Sequence, residues 1–327
     1  MFPALVAERA VRRERCRDDY DTGRHAEEDQ AGAEPGAAGS SAVSWMFPPS
    51  SSPFPLWRRT RGSSAQLAAP RWRTAATPAL AHIAHDLATR DAAADLLPPV
   101  SLPELPPPEL DAPREQIEDL AHRVRRRWGI PAGPIPNVVG LLESHGIVVL
   151  RLPLDTADVD AFSLPFHDRA VVVLATDKND RARSRFDGAH ELGHLVMHGE
   201  HVWGLKQVES QAHAFAAAFL MPDRDIRDEL PAYADWPTLF DLKRRWQVSL
   251  AALLLRAKNL GRMTDASYLT AVKALSARGW RRQEPIPIGA PENPARLRQI
   301  VGVNGGNGVS KAMPRHIVDA IAGANLP

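Results

Sequence analysis

Prolines number 29 in this chain, yet none falls between Arg181 and Met197. A stretch of that length, free of the residue that breaks helices and opened by Asp180, a residue type that caps helix N-termini, is predicted to be one helix. Ala182, Phe186, Ala189, Gly193 and Met197 recur at three- and four-residue steps and give it an apolar stripe. Gly199 stands where such a helix stops. Gly188 and Gly193 each cost a helix about 1 kcal/mol relative to alanine, so Gly193 is expected to serve packing by letting another backbone approach.

On a helix, residues four apart share a face. His190 and His194 then present two imidazoles to one point, as a Zn²⁺ with nitrogen ligands about 2.0–2.1 Å away requires. Glu191 is rotated off that pair but reaches a water on the metal, the position of the general base in an H-E-x-x-H site. The plainer alternative is two polar histidines on an exposed helix face. A catalytic zinc site takes three protein ligands and keeps one position open, so a third ligand decides between the two.

A histidine six residues beyond the second, with a glycine midway, is one solution; here Met197 and Glu200 hold those places and His201 comes one position late. A glutamate from a following helix is the other. Glu209 opens an alanine-rich stretch, 209–221, that reads as a buried helix ended before Pro222. Its alanines would let it lie close against the first helix. Glu209 and His213 are four apart on one face, so one can ligate while the other orients a ligand.

Ala189-His190-Glu191-Leu192-Gly193-His194, followed by Glu209-x-x-Ala212-x-x-Phe215-Ala216 and Leu220-Met221-Pro222, resembles the ImmA/IrrE family of metallopeptidases over about residues 114–285. The resemblance implies a gluzincin-like Zn²⁺ site with His190, His194 and Glu209 as ligands and Glu191 as base. It also implies a regulatory endopeptidase of stress response or transcription regulation, whose substrate is a DNA-binding, helix-turn-helix repressor or similar protein. His213 departs from the Asn or Asp of the family pattern; it is either the group that orients a zinc histidine or an oxyanion donor. Tyr233 and His198 are further oxyanion candidates, His198 being placed for capping or packing rather than for the same ion. Relatives often carry a helix-turn-helix domain in front of the peptidase; no such pattern precedes residue 75.

The net charge of +1 gives no general argument for nucleic acid or acidic partners. Cys16 is the one cysteine, which excludes an internal disulfide and a thiolate zinc site. No apolar run reaches the eighteen or more residues of a membrane span, and the start lacks a basic region followed by an apolar core, so the expected location is the cytoplasm. Composition divides the chain into a low-complexity and proline-rich extension over 1–112, with one possible helix at 78–96, a peptidase domain over 113–284, and an accessory tail over 285–327. The fold class is α+β: a mostly helical zinc-peptidase domain with a small β-sheet beside the H-E-x-x-H helix, and a long disordered N-terminal extension.

Within the domain, Ile117, Leu120, Ala121, Val124 and Trp128 mark a helix closed by Gly129, with Arg123, Arg125, Arg126 and Arg127 on a solvated face. A second helix follows Asn137, residues 147–152 form a strand, and 161–166 and 169–175 flank His167-Asp168 as a tight hairpin. An edge strand there would hold a peptide in extended form. Residues 236–246 and 250–260 form a helix pair bearing Lys243, Arg244, Arg245, Arg256 and Lys258. The pair could be taken for a DNA reader, but a similar helix follows the metal site in the ImmA/IrrE family, and the resemblance implies a structural cover. A transcriptional regulator or stress sensor with a structural or sensory metal site and no proteolysis is the alternative.

Overall fold

The computed structural model describes residues 69–89, 97–154, 160–177, 179–198 and 205–303, and the side chains of these except 69–78 and 300–303. The expected disordered tail and aromatic linker, Gly199, Glu200, His201 and the expected last helix near 315–322 lie outside these residues. In chain order the elements are α1 (Ala69–Thr89), α2 (Arg114–Arg127), α3 (Val138–Ser144), β1 (Val148–Leu152), β2 (Ala161–Leu164), β3 (Val171–Ala175), α4 (Arg181–Met197), α5 (Lys206–Leu220), α6 (Asp223–Ile226), α7 (Trp236–Trp246), α8 (Leu250–Asn259), α9 (Asp265–Ala277) and α10 (Arg296–Val303). The fold is α+β, helical with one three-stranded sheet. Among the described residues no helix is long and apolar enough to cross a membrane.

Local signals set several of these ends. The side chains of Asn137, Asp180 and Ser249 each accept a backbone N–H from the first turn of α3, α4 and α8, satisfying donors that a helix start leaves open. The strands run β1-β3-β2, with β1 parallel and β2 antiparallel to the central β3. Side chains alternate across a sheet. Val149, Ala161, Val172 and Leu174 therefore join the core with α3, α4 and α5. Val148, Leu150, Leu152, Phe162, Val171 and Val173 face the other way, where Ala81, Ala84, Leu87 and Ala88 of α1 cover them. Burial on both faces is why β3 reads as an unbroken apolar run and β1 as one interrupted by Arg151 alone.

Four features differ from the sequence expectations. The hairpin turns over residues 165–170 rather than at His167-Asp168 alone, because Pro165 has no N–H for the ladder and Arg169 is tied to the carbonyls of Pro98 and Gly146. Arg125 is not on a solvated face: its guanidinium is buried and donates to the carbonyls of Phe219, Pro131 and Gly133. The helix expected over 78–96 starts earlier, at Ala69, and Pro78 lies inside it. That helix belongs to the packed body rather than to a separate extension: its ring-to-ring stack of His85 on Phe166 and its His85–Asp168 contact at 2.6 Å fasten it to the hairpin.

The proline-rich stretch is fastened as well. Trp128 Nε1 donates to Ser101 O at 2.8 Å, and its ring stacks on His145 at 4.0 Å. Gly146 sits at φ +81°, and a Cβ there would meet the Pro99 carbonyl at 2.9 Å. Only glycine accepts both the dihedral and the approach.

Glu292, in the segment read as an accessory tail, is buried and joins two elements. Its carboxylate accepts the N–H groups of Val138 (2.7 Å) and Val139 (3.0 Å) at the start of α3, and it pairs with Arg185 of α4. Burial pushes the Arg185 guanidinium down from its ordinary pKa, and Glu292 opposes that. Glu292→Ala strands a buried cation and is expected to cost about 3–5 kcal/mol. Glu292→Gln, which keeps an acceptor for the helix N–H groups, should cost less. Urea midpoints of the two variants check this; equal, small losses would show the pair to be dispensable.

Candidate metal centre

α4 and α5 pack closely, with Gly193 of α4 against Phe215 of α5. A Cβ on Gly193 would stand 3.0 Å from the Phe215 ring, so glycine is required there for packing, at the cost in helix propensity noted above. This packing brings the first turn of α5 beneath the middle of α4. His190, His194 and Glu209 are fully or almost fully buried, and one ligand atom from each converges.

The spacing of those atoms tests whether a metal fits. Donors bound at about 2.0–2.1 Å to one tetrahedral ion stand about 3.3–3.4 Å apart. His190 Nε2 and His194 Nε2 are 3.0 Å apart, and Glu209 Oε2 lies 3.2 Å from the first and 3.6 Å from the second. Two imidazole nitrogens and a carboxylate oxygen are also a usual donor set for such an ion. The residues fit. Burial alone would raise the Glu209 pKa, but the electrostatics of His190 and His194 beside it outweigh that and hold the carboxyl far below the usual range.

Glu191 is wholly buried. Ser163 of the edge strand β2 donates its Oγ hydrogen to Glu191 Oε2 at 2.8 Å. Sequence reading missed Ser163, which is 28 positions away in a strand with no motif. His213 donates its Nδ1 hydrogen to the Glu209 carbonyl (2.8 Å) and sets its ring edge-on to His190 at 4.5 Å. His198 is placed at the C-terminal cap of α4, as expected, and in addition its Nδ1 stands 3.1 Å from His194 Nδ1. Tyr233 is exposed and is not among the residues lining the cavity beside the site.

That cavity has a volume of about 690 Å³, within the usual range for a ligand cleft. Phe186, Glu209 and His213 line it together with Leu255, Tyr268 and Val272 of α8 and α9. The basic side chains of α7 and α8 are engaged in ion pairs: Lys243 with Glu284, Arg244 with Asp241, Arg245 with Glu229, Arg256 with Glu118 and Lys258 with Asp265. Arg256 is itself buried and also donates to Met221 O.

Residues 142–258 match the family model of the IrrE N-terminal-like domain, Peptidase_M78. That segment is similar to the peptidase domain of the ImmA/IrrE family. The matched segment runs from within α3 to within α8 and contains the sheet, both helices of the site and its three converging side chains. It is narrower than the resemblance over 114–285, and α1, α2, α9 and Glu292 lie outside it. No curated protein matches the chain.

Proposed function

We propose that the protein is a zinc-dependent endopeptidase that uses His190, His194 and Glu209 as ligands and Glu191 as general base. The observation that carries this reading is the triangle of donor atoms at 3.0, 3.2 and 3.6 Å beside a wholly buried carboxylate. Bound there, Zn²⁺ supplies a Lewis acid that polarises the scissile carbonyl and acidifies water. Glu191 takes the proton of the attacking water and delivers it to the leaving amine. Ser163 fixes the rotation of that carboxylate through Oε2. A peptide pairs with the edge strand β2 in extended form, its side chains reaching the cavity lined by α5, α8 and α9.

His213 serves better as an orienting group than as an oxyanion donor. Its Nδ1 hydrogen is spent on the Glu209 carbonyl, so a neutral ring offers only an acceptor at Nε2. A DNA-binding repressor as substrate, in the cytoplasm, rests on analogy with the family. The alternative, a regulator with a structural metal that reads DNA, is disfavoured by the ion pairs that neutralise the cations of α7 and α8.

His194→Ala removes a buried ligand, and bound zinc is expected to fall from one equivalent per chain to none, as elemental analysis will read. A full equivalent retained would rule out this ligand set. Cleavage of protein partners that stops on chelation supports the enzyme; DNA binding that weakens steeply with salt, without cleavage, supports the alternative.

A further inference from the structure

His198 and Gln211 are not ligands of the proposed site, yet they lie in an unbroken line behind one. His194 Nδ1 is 3.1 Å from His198 Nδ1; His198 Nε2 is 3.0 Å from Gln211 Oε1; Gln211 Nε2 donates to Glu109 O at 2.7 Å and to Leu110 O at 3.2 Å. Gln211 is buried and His198 half-buried. The direction of every bond in this line follows from its far end. Two carbonyls can only accept, so the Gln211 –NH₂ must face them and its Oε1 must face His198. An amide oxygen can only accept, so His198 carries hydrogen on Nε2. In the neutral ring Nδ1 is then an acceptor, so the facing His194 Nδ1 must carry the hydrogen. What remains on His194 Nε2 is a lone pair, at the atom 3.0 Å from His190 Nε2 and 3.6 Å from Glu209 Oε2.

We propose that His198 and Gln211 are positioning residues that lock His194 in its Nδ1–H tautomer, with the backbone carbonyls of Glu109 and Leu110 setting the direction of the chain. The inference rests on the metal reading above for its purpose, but not for its hydrogen-bond logic. The lock matters because a histidine with hydrogen on Nε2 must give up that proton and change tautomer before it can ligate through that atom. It also gives the segment before α2 a part in the site, through a turn in which Ala112 N donates to the same Glu109 carbonyl at 3.0 Å.

The test uses the full-length, metal-free protein labelled with ¹⁵N in its histidine rings, at a pH of about 8, above the reference histidine pKa of about 6.5. Long-range ¹⁵N–¹H spectra are expected to show His194 protonated at Nδ1 and His198 protonated at Nε2. His198→Phe keeps the ring and removes the acceptor; its zinc dissociation constant is expected to rise about 10–100-fold, with the melting temperature of the metal-free protein unchanged. Gln211→Leu, which touches neither zinc histidine, should act in the same direction, and it carries the affinity arm if His198→Phe does not fold. His194 protonated at Nε2 in the wild type, or zinc held as tightly in the folded variants, overturns the proposal. A wild type that binds no zinc refutes the metal reading instead, and the ring spectra still decide the tautomers.

Discussion

Glu191→Gln is expected to lower peptide cleavage by about 10²–10⁴-fold, the usual worth of a general base, while leaving one metal per chain. The amide has the shape of the carboxylate, and its oxygen can still accept the Ser163 hydroxyl. It cannot accept a proton from water, so only the chemical step is lost. Stability should hold or rise slightly, because the site is wholly buried and a neutral group there avoids the desolvation that a charge incurs. Three measurements on one preparation read this result: zinc content, thermal midpoint and cleavage rate. A variant that cleaves at the wild-type rate would show that Glu191 is not the base; one that also loses its metal would give Glu191 a structural share in the site.

A chain beginning at Ala112 is expected to be unfolded or aggregated. Composition alone places the domain start near that position, and on that basis such a chain should be soluble and bind metal. The packing argues the reverse. Removing α1 and the 97–111 segment uncovers Val148, Leu150, Leu152, Phe162, Val171 and Val173 on one face of the sheet. Full burial of such a side chain is worth about 1.5–3 kcal/mol. Even half of that, summed over the face, takes most of the roughly 5–15 kcal/mol by which a domain is stable. The same deletion removes the carbonyls that receive Trp128, Arg169 and Gln211. Size-exclusion chromatography and a melting curve test it. A monomer with a cooperative transition at the full-length temperature would refute it, and would return α1 to the status of a dispensable extension.

The centre of the molecule was legible because its information is local. Asp180 and the proline-free run mark α4, four-residue spacing puts His190 and His194 on one face, and alanines with a terminal Pro222 mark α5. Gly193 was legible as a packing glycine, though not that Phe215 is what it admits. The hairpin was legible in its strands and not in its turn, since Arg169 is fixed by the distant carbonyls of Pro98 and Gly146.

What the sequence by itself determined is therefore the set of elements and the residue types able to hold a metal, since spacing along a helix or strand dictates which side chains share a face. The tertiary structure decided which groups answer one another across long separations: Ser163 with Glu191, Gln211 with the carbonyls of Glu109 and Leu110, Glu292 with Arg185, α1 with the outer face of the sheet. No periodicity records such pairs. A lone serine, a lone glutamine and a few alanines look the same in any stretch of chain, and they acquire a partner only when burial forces each polar group to find one and each bare apolar face to be covered.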